Sequence, residues 1–435
     1  MTTATAPGKV LPGLQKVQTQ DDDIDLVSVY EKILGADKIN ALKAKAKALK
    51  DIKVAHINAT AYGGGVAELL HRQIPLMNQL GKQSGFHTDW FILHVDNPAF
   101  YDVTKKMHNT LQGAEGELTE ADKALYKKTL QENFSNGLLD EYDVIFNHDP
   151  QPAGLIDLYP EHTNKWAWRC HIDTTTPNMP VWDFIRQFAV KHNAAIWTRQ
   201  TFVQNNDQFK EVRIIPPSID PLSLKNSDLT EKEISDVLVK FGINPNKPLM
   251  VQVSRFDPWK QPLEVIDIYQ KLKKEFPDLQ LLYAGSMATD DPEGMGYWEQ
   301  CLRKAGEDKD VFIYNNYHGV GNVEINAFQR AADLLLQYSS KEGFGLTVSE
   351  GMWKYQPVIG GKVGGIQDQI VDKESGFLVS TDDEVIAICR DLLKNPEKRK
   401  AMGQAAHDRV AERFLITREV EDYMTLALDM LGRSV

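Results

Sequence analysis

Residues 52–65 have the sequence IKVAHINATAYGGG, a short apolar run followed by a turn that ends in three glycines. An apolar run of this length bounded by glycines predicts a buried β-strand that ends in a tight turn. The next residues, 66–80, place apolar side chains at helical spacing. A strand, a glycine turn and a helix in this order are typical of a βαβ unit, in which the strands run parallel.

The same alternation continues on both sides of two adjacent prolines, Pro216 and Pro217. Before the prolines, further strands are predicted at residues 90–93, 144–146 and 166–170. After them, strands are predicted at residues 249–253, 279–283, 311–314, 334–337 and 357–359. The sequence therefore predicts an α/β fold with two facing Rossmann-like domains. Since open parallel sheets bind ligands beyond the carboxyl ends of their strands, we expect the site in an interdomain cleft.

Four segments are predicted from this pattern. They are a mobile N-terminal tail at residues 1–25, an N-terminal domain at 26–218, a C-terminal domain at 219–415 and a terminal helix at 416–435 that packs back on the N-terminal domain. The tail is predicted from its richness in Thr, Gln, Pro and Asp without a sustained period. A charged helical stretch is expected at residues 26–49.

The composition excludes several classes of protein. The 435 residues carry 49 Lys and Arg against 61 Asp and Glu, a net charge of −12, which argues against binding nucleic acid or an anionic membrane by bulk attraction. No apolar run is long enough to span a bilayer. Cys170, Cys301 and Cys389 are too few and too scattered for a disulfide framework or a thiolate metal site. We therefore expect a soluble cytoplasmic protein without a bound metal.

The glycine turn at residues 63–65 is the first candidate site. Glycines let the backbone approach a ligand closely, and the helix that follows offers unpaired N–H groups to an anion. A dinucleotide fingerprint would need a further glycine where Glu68 stands. The alternative is a turn that simply needs positive φ.

The second candidate is the stretch SRFDPWK at residues 254–260, which follows a predicted strand. The planar guanidinium of Arg255 and the point charge of Lys260 together suit the clamping of a diphosphate. Two solvated cations on a surface loop are the alternative.

The third candidate is KEGFGLTVSE at residues 341–350, where two glycines permit a turn into a helix that begins near Leu346. The amides of Leu346 and Thr347 would then face an anion. Glu350 is positioned to accept hydrogen bonds from ribose hydroxyls, or else forms a capping box with Thr347. Glu342 is placed to meet a substrate hydroxyl, or else is a solvated loop carboxylate.

The fourth candidate is RCHID at residues 169–173, at the end of a predicted strand. His171 is either a satisfied core histidine or a residue that meets a sugar, and His148 raises the same question. Neither has an HxH, CxxC or HExxH context, which argues against metal binding.

Together these stretches resemble the retaining nucleotide-sugar glycosyltransferases of family 4, which have the two-domain GT-B architecture. The shared signature is the glycine turn, the Arg-x4-Lys pair of residues 255 and 260, and the E-x7-E motif of residues 342 and 350. Within that family the resemblance is closer to the trehalose glycosyltransferring synthases and runs from about residue 58 to the terminal helix. The strings that carry it are NAT and GGGVAE at 58–60 and 63–68, HDPQP at 148–152, WRCHID at 168–173, PPSIDP at 216–221, SRFDPWK at 254–260 and DDPEG at 290–294.

The resemblance implies a nucleotide-sugar site in the C-terminal domain and an acceptor site in the N-terminal domain. The implied donor-binding residues are Gly64, Gly65, Arg255, Lys260, Glu342, Gly343, Phe344, Leu346, Thr347 and Glu350. The implied catalytic residues are Arg255, Lys260, Glu342 and His171. We further expect acceptor contacts from Tyr62, Glu68, Asn109 and Asp173.

The resemblance implies a separate role for each of the main site residues. Arg255 and Lys260 would bind the donor diphosphate and stabilise the leaving phosphate, while Glu350 would hold the ribose. Glu342, with the backbone of residues 343–344, would grip the transferred glucose, and His171 would contact that glucose near its anomeric carbon. The chain departs from the family pattern at Gln261, where a glycine is usual, and at residue 351, where glycine replaces alanine.

The resemblance implies transfer of glucose from ADP-, UDP- or GDP-glucose to free glucose, with retention, to form α,α-trehalose. It implies small sugars as partners, no tightly bound cofactor and a possible homodimer. The enzymatic alternatives are a retaining trehalose phosphorylase and a synthase of another small glucoside such as glucosylglycerol. A dinucleotide oxidoreductase is disfavoured by Glu68 in place of glycine and by the Arg-x4-Lys and E-x7-E motifs. A non-catalytic sugar-binding protein is disfavoured by the complete set of phosphate and sugar contacts. We expect the base to bind near residues 314–317.

Overall fold

The computed structural model describes residues 12–19, 24–62, 65–134, 137–285 and 292–435. The chain forms two compact units. The first contains Met1–Pro216 and Glu419–Val435, and the second contains Pro217–Arg418.

The first unit is built on a seven-stranded sheet in the order β1-β3-β2-β4-β5-β6-β7. Its strands are β1 (Gly13–Lys16), β2 (Lys53–Asn58), β3 (His87–His94), β4 (Val144–His148), β5 (Trp166–Cys170), β6 (Ala194–Trp197) and β7 (Val212–Ile214). All neighbouring strands pair in parallel except β1, which pairs antiparallel with β3. The central strands are buried along almost their whole length, as expected for a parallel sheet that is covered on both faces.

Helices cover this sheet. They are α1 (Leu26–Leu34), α2 (Ala36–Ala48), α3 (Gly65–Gly81), α4 (Pro98–Leu111), α5 (Glu120–Phe134) and α6 (Met179–Ala189). The largest described cluster of buried apolar side chains in this unit lies between the sheet and α4, α5 and α6, and includes Trp166, Trp168 and Trp182.

The second unit is built on a six-stranded sheet in the order β10-β9-β8-β11-β12-β13, with every pair parallel. Its strands are β8 (Leu249–Val253), β9 (Gln280–Gly285), β10 (Val311–Asn315), β11 (Leu334–Gln337), β12 (Val358–Gly361) and β13 (Gly376–Val379). Its helices are α7 (Glu231–Lys240), α8 (Pro262–Lys273), α9 (Pro292–Ala305), α10 (Asn322–Ala331), α11 (Leu346–Trp353), α12 (Ile366–Gln369), α13 (Asp382–Lys394) and α14 (Pro396–Arg413). The last helix, α15 (Ile416–Met430), belongs to the first unit from Glu419 onward.

Each sheet has one switch point, where one strand connection runs to one side of a central strand and the next connection runs to its other side. In the first sheet this point lies between β2 and β4, and in the second between β8 and β11. Loops that leave the carboxyl ends of two such strands part from each other and open a crevice for a ligand. The loops after β2, β4, β8 and β11 are therefore where binding residues are expected. These two sheets confirm the predicted fold class of two α/β units with parallel sheets.

Two sequence expectations need correction. The helical stretch at residues 26–49 is two helices, α1 and α2, because Gly35 has a φ of +85° and ends the first. The predicted mobile tail contains β1, which adds to the edge of β3 through backbone hydrogen bonds and an ion pair of 2.7 Å between Lys16 and Asp89. Edge pairing needs little from the strand's own sequence, which explains why composition alone did not predict it. The remaining parts of the tail, residues 1–11 and 20–23, lie outside the described residues.

Among the helices of the described residues, none combines the length and the apolar character that crossing a membrane requires.

Candidate active site

Lys260 and Glu342 meet at the switch point of the second sheet. Lys260 follows β8 and Glu342 follows β11, and the Lys260 ammonium donates to the Glu342 carboxylate at 2.5 Å. Both side chains are mostly buried, with 11% and 14% of their surfaces exposed. The Gln252 amide holds the Lys260 loop by donating to its carbonyl at 2.7 Å. The pair therefore places one cation and one carboxylate where the crevice of a parallel sheet is expected.

The loop between β8 and Lys260 presents a second cation. The Arg255 side chain is 61% exposed, and its guanidinium lies 3.3 Å from the carboxylate of the buried Asp257. Gln261 ends the loop with a φ of +47°, in the left-handed region that favours glycine. The loop thus keeps the backbone conformation that the family glycine would permit, although the residue is glutamine.

A glycine pair that the sequence analysis did not single out supports the Glu342 loop. Gly364 has a φ of +44°, and a Cβ there would lie 1.6 Å from the Glu342 carbonyl oxygen. The Gly365 amide donates to the Gly343 carbonyl at 2.8 Å, and a Cβ on Gly365 would lie 2.6 Å from the Cα of Phe344. The backbone of these two segments is therefore packed in direct contact, which only glycine allows. The feature of the sequence that could have indicated this contact is the pair of adjacent glycines between a strand and a helix.

Gln369 is a second residue that the sequence analysis missed. Its amide donates to the Phe344 carbonyl at 2.6 Å and its carbonyl accepts from the Ser349 hydroxyl at 2.5 Å. Gln369 is fully buried, and these contacts fix the loop to the helix that follows it.

The helix α11 begins at Leu346, with Gly345 as its N-cap at a φ of +81°. The first amides of a helix have no partner within the helix, so those of Leu346 and Thr347 are available to an anion. The capping-box alternative for Glu350 is wrong, because Thr347 lies inside the helix rather than at its N-cap. The Thr347 hydroxyl instead donates to the Gln337 side chain at 2.8 Å.

Glu350 lies one turn further along α11 and is 4% exposed. Its carboxylate is 3.9 Å from the Lys225 ammonium. Lys354 lies beneath it, donating to the Glu350 carbonyl at 2.9 Å and to Asn226 at 2.8 Å. Burial lowers the pKa of Lys354 to about 7. Glu350 is thus held among nitrogen donors with its backbone fixed.

The segment expected to meet the base lies at the end of β10. Asn315 accepts a hydrogen bond from the Tyr317 amide at 3.0 Å and holds a short turn, which leaves the Tyr317 side chain 63% exposed. Tyr314 donates to the Phe241 carbonyl at 2.8 Å, and its ring centroid lies 5.6 Å from that of His318 in this turn.

In the first unit, the expected glycine turn follows β2. Gly65 is the first residue of α3, whereas Gly63 and Gly64 lie outside the described residues. Tyr62 is 77% exposed immediately before the turn, and Glu68 is exposed on the first turn of α3.

His171 lies just beyond β5 and is partly buried. Its backbone amide donates to the Asp149 carboxylate at 2.8 Å. Asp149 follows β4 with a φ of +67°, and burial raises the pKa of its carboxyl to about 7. Burial, followed by the charge of Arg169, holds the pKa of His171 well below its usual range, so its imidazole is neutral near pH 7.

The other two expected acceptor residues, Asp173 and Asn109, lie on different elements. Asp173 is buried and accepts from the Thr175 amide at 2.9 Å and the Thr175 hydroxyl at 2.6 Å. Asn109 is exposed near the end of α4 rather than at a strand end. The end of α4 is held near the start of α6, because the backbone amide of Asn178 donates to the Thr110 carbonyl at 3.0 Å.

Known proteins match this chain along most of its length. A family model described as "Trehalose synthase, N-terminal domain" matches residues 56–204, and one described as "Glycosyl transferases group 1" matches residues 234–409. The trehalose synthase of Thermococcus litoralis is 46% identical over 91% of this chain and 95% of its own length. That of Pyrococcus horikoshii is 47% identical over 93% of this chain and 96% of its own length. This chain belongs to the trehalose synthase family.

As a member of the trehalose synthase family, the chain is a glycosyltransferase. A trehalose phosphorylase of Pleurotus pulmonarius is more distant, at 27% identity over 89% of this chain and 59% of its own length.

Solved structures identify the architecture of this family member. Sucrose-phosphate synthase from Thermosynechococcus elongatus superposes with a TM-score of 0.65 at 15% identity, covering 88% of this chain and 99% of that chain. Anabaena HepE in complex with UDP-glucose superposes with a TM-score of 0.61 at 16% identity, covering 87% and 99%. The fold is therefore GT-B, as predicted.

Proposed function

We propose that this trehalose synthase family member transfers glucose from a nucleoside-diphosphate glucose to free glucose and forms α,α-trehalose with retention. The observation that carries the proposal is the Lys260–Glu342 pair beside the first amides of α11. A cation and a helix N-terminus suit the diphosphate of the donor, and the adjacent carboxylate suits the hydroxyls of its sugar.

The donor diphosphate binds to Lys260, Arg255 and the first amides of α11. These groups stabilise the negative charge that develops on the leaving phosphate, a contribution that is typically the largest in such reactions. Glu350, one turn along the helix, accepts the ribose hydroxyls. The complex of Anabaena HepE with UDP-glucose supports a nucleotide sugar as the class of donor.

The transfer breaks the bond between the anomeric carbon and the leaving phosphate oxygen. The acceptor hydroxyl forms the new bond on the same face of the sugar, and its proton passes to the phosphate oxygen that has left. Glu342 holds the sugar hydroxyls rather than attacking the anomeric carbon, because its carboxylate is already engaged by Lys260. His171 contacts the same sugar with a neutral imidazole.

A trehalose phosphorylase is the second candidate, supported by the more distant relative. Phosphate would then take the place of the nucleotide diphosphate. A phosphorylase makes no use of a ribose contact, so the two candidates differ in the role of Glu350.

A product assay tests the proposal. The enzyme is incubated with ADP-, UDP- or GDP-glucose and with glucose, glycerol or glycerate as acceptor. Trehalose and one released nucleotide are the expected products. Nucleotide release with glycerol or glycerate but not with glucose would show that glucose is not the acceptor. Glucose 1-phosphate formed from trehalose and phosphate, without transfer from any nucleotide sugar, would favour the phosphorylase.

A further inference from the structure

Three histidines form a row across the first sheet and end at His171, the residue proposed to contact the transferred glucose. His56 lies in β2, His148 ends β4 and His171 follows β5, and these strands are neighbours. The register pairs His56 with Phe146 and His148 with Arg169. Since alternate residues of a strand share a face, all three imidazoles lie on one face and climb toward the carboxyl edge.

The three rings are joined by two hydrogen bonds. Nδ1 of His56 lies 2.9 Å from Nε2 of His148, and Nδ1 of His148 lies 2.9 Å from Nε2 of His171. The ring pairs are stacked, with centroids 5.2 Å and 5.3 Å apart. In the part of the chain that the structure describes, no group of three His, Cys, Asp or Glu residues is arranged to hold a metal ion.

The two ends of the row differ. Nε2 of His56 is buried and has no hydrogen-bond partner among the described residues. Nδ1 of His171 has none among them either, but His171 is only partly buried. A proton cannot leave through the His56 end, so the row cannot carry protons to solvent. What it can do is decide which nitrogen of His171 bears the proton.

The surroundings keep all three imidazoles neutral. Burial holds the pKa of each below its usual range, and the charge of Arg169 acts in the same direction on His148 and His171. The other groups that face the row are the Asp149 carboxylate, which is bound to the His171 amide, and the Tyr423 ring of α15. Glu419 of α15 lies 3.6 Å from the Arg169 guanidinium.

Three neutral imidazoles and two hydrogen bonds allow only two arrangements of protons. Either every ring carries its proton on Nδ1, or every ring carries it on Nε2. The second arrangement leaves an N–H of His56 buried without an acceptor, a state that folded proteins avoid more strictly than an unfilled acceptor. The first leaves only a bare nitrogen at that end.

We propose that His56 and His148 are positioning residues that fix His171 in its Nδ1–H tautomer, so that His171 donates a hydrogen bond to the sugar or the leaving phosphate. The inference rests on the proposed function for the identity of the group that accepts this hydrogen bond. The direction in which the imidazoles donate to one another along the row does not depend on the reaction.

The tautomer is tested first in the unmodified protein. Two-bond 15N–1H correlation spectra of protein with 15N-labelled histidine distinguish the Nδ1–H from the Nε2–H form of each ring. The Nδ1–H form is expected for His56, His148 and His171 across pH 6 to 8. The Nε2–H form at His171, or fast exchange between the two forms, would overturn the inference.

A variant tests the consequence. His148→Phe keeps an aromatic ring in the stack but breaks both hydrogen bonds, so His171 should populate both tautomers. We expect kcat for trehalose formation to fall about threefold to tenfold, the usual worth of one neutral hydrogen bond, with nucleotide affinity unchanged. Unchanged kcat in a folded His148→Phe protein would overturn the positioning role.

His192→Phe is the matched control. His192 is also fully buried, but it bonds to Asn147, whose side chain lies on the opposite face of β4 from His148. This variant should keep kcat and the His171 tautomer. If the wild-type protein formed no trehalose yet showed the Nδ1–H tautomers, the proposed function would be wrong, while the assignment of the histidine tautomers would be confirmed.

Discussion

Glu342 is the residue on which the proposed donor site most depends, since it pairs with Lys260 and is proposed to bind the sugar hydroxyls. Glu342→Gln keeps the size of the side chain and removes its charge. We expect turnover to fall about 10²–10³-fold while nucleotide binding is retained. Steady-state kinetics of trehalose formation and calorimetric titration of the nucleotide measure the two effects.

The control for this change is Glu324→Gln, because Glu324 also pairs with a lysine, Lys240, at 3.0 Å in the same unit. It lies on α10, whereas the proposed donor residues lie in the loops after β8 and β11 and on α11, and its change should leave turnover unaltered. Full activity in Glu342→Gln would remove Glu342 from the site.

Glu350 makes a different contribution. Glu350→Gln should weaken nucleotide binding by about tenfold, since a hydrogen bond to a charged group is typically worth about 1.5–3 kcal/mol and the amide keeps part of it. The helix itself should be unaffected, because Gly345 and not Glu350 forms its N-cap. Calorimetric titration with ADP, UDP and GDP checks this. Equal affinity for wild type and variant would leave Glu350 with a structural role beside Lys354.

At the scale of elements, the Gly364–Gly365 turn supports the Glu342 loop. Gly364→Ala would force a Cβ against the Glu342 carbonyl oxygen, 1.6 Å away, and would strain a φ of +44°. We expect the free energy of unfolding to fall by about 1–3 kcal/mol. We also expect the folded variant to have a lower activity than the folded wild-type protein, because the Glu342 loop is displaced. Chemical unfolding and kinetics on the same preparations measure both.

The control for the turn is Gly306→Ala. Gly306 also has a positive φ, +63°, but no atom lies within 4 Å of its Cβ position. It should show the backbone strain alone and keep full activity. Equal behaviour of the two variants would show that the contact with the Glu342 loop does not matter.

Individual elements differ in how far the sequence could predict them. Strands β5, β8 and β11 occupy the predicted residues, because each is a short apolar run with a clear end. The start of α11 was also predicted, from the glycines before it. The contact of Gly364 with Glu342 could not be, because it joins segments 22 residues apart through backbone packing that no local pattern encodes. The histidine row was equally hidden, since strand order decides that β2, β4 and β5 are neighbours.

At the scale of the molecule, the family and the GT-B fold were predictable because they depend on spaced motifs and on the alternation of strands and helices. The site contacts of Tyr62, Glu68, Asn109 and Asp173 with an acceptor, and a homodimer, stay predictions. Side-chain partners decide such contacts, and Asp173 shows why: its carboxylate binds Thr175 of its own loop.

Buried histidines make the first unit sensitive to acid. Burial lowers the pKa of His56 and His192 to about 3, and those of His148 and His171 lie well below 6.5, their ordinary value. The unfolded chain therefore binds protons below pH 6.5 that the folded chain does not, and each such histidine lowers the free energy of unfolding by up to about 1.4 kcal/mol per pH unit. Asp149 acts in the opposite direction, because its raised pKa, about 7, makes the folded form hold a proton that the unfolded form loses above pH 3.8.

The four histidines outweigh the one aspartate, so we expect the first unit to lose stability from pH 6.5 downward. Tryptophan fluorescence follows this unit, which holds five fully buried tryptophans: Trp90, Trp166, Trp168, Trp182 and Trp197. Unfolding by denaturant at pH 7.5, 6.5 and 5.5 should show a falling midpoint. A midpoint that stayed constant over this range would contradict the assignment of neutral histidines.

We propose above that glucose moves from a nucleotide sugar to glucose with retention at the anomeric carbon. The most direct measurement is the 13C NMR spectrum of the product formed from a nucleotide sugar labelled at C1 of glucose and unlabelled glucose. We expect a labelled anomeric carbon in α,α-trehalose, with release of the nucleoside diphosphate. A labelled carbon in a β-linkage would contradict retention, and label found only in free glucose or glucose 1-phosphate would contradict the transfer.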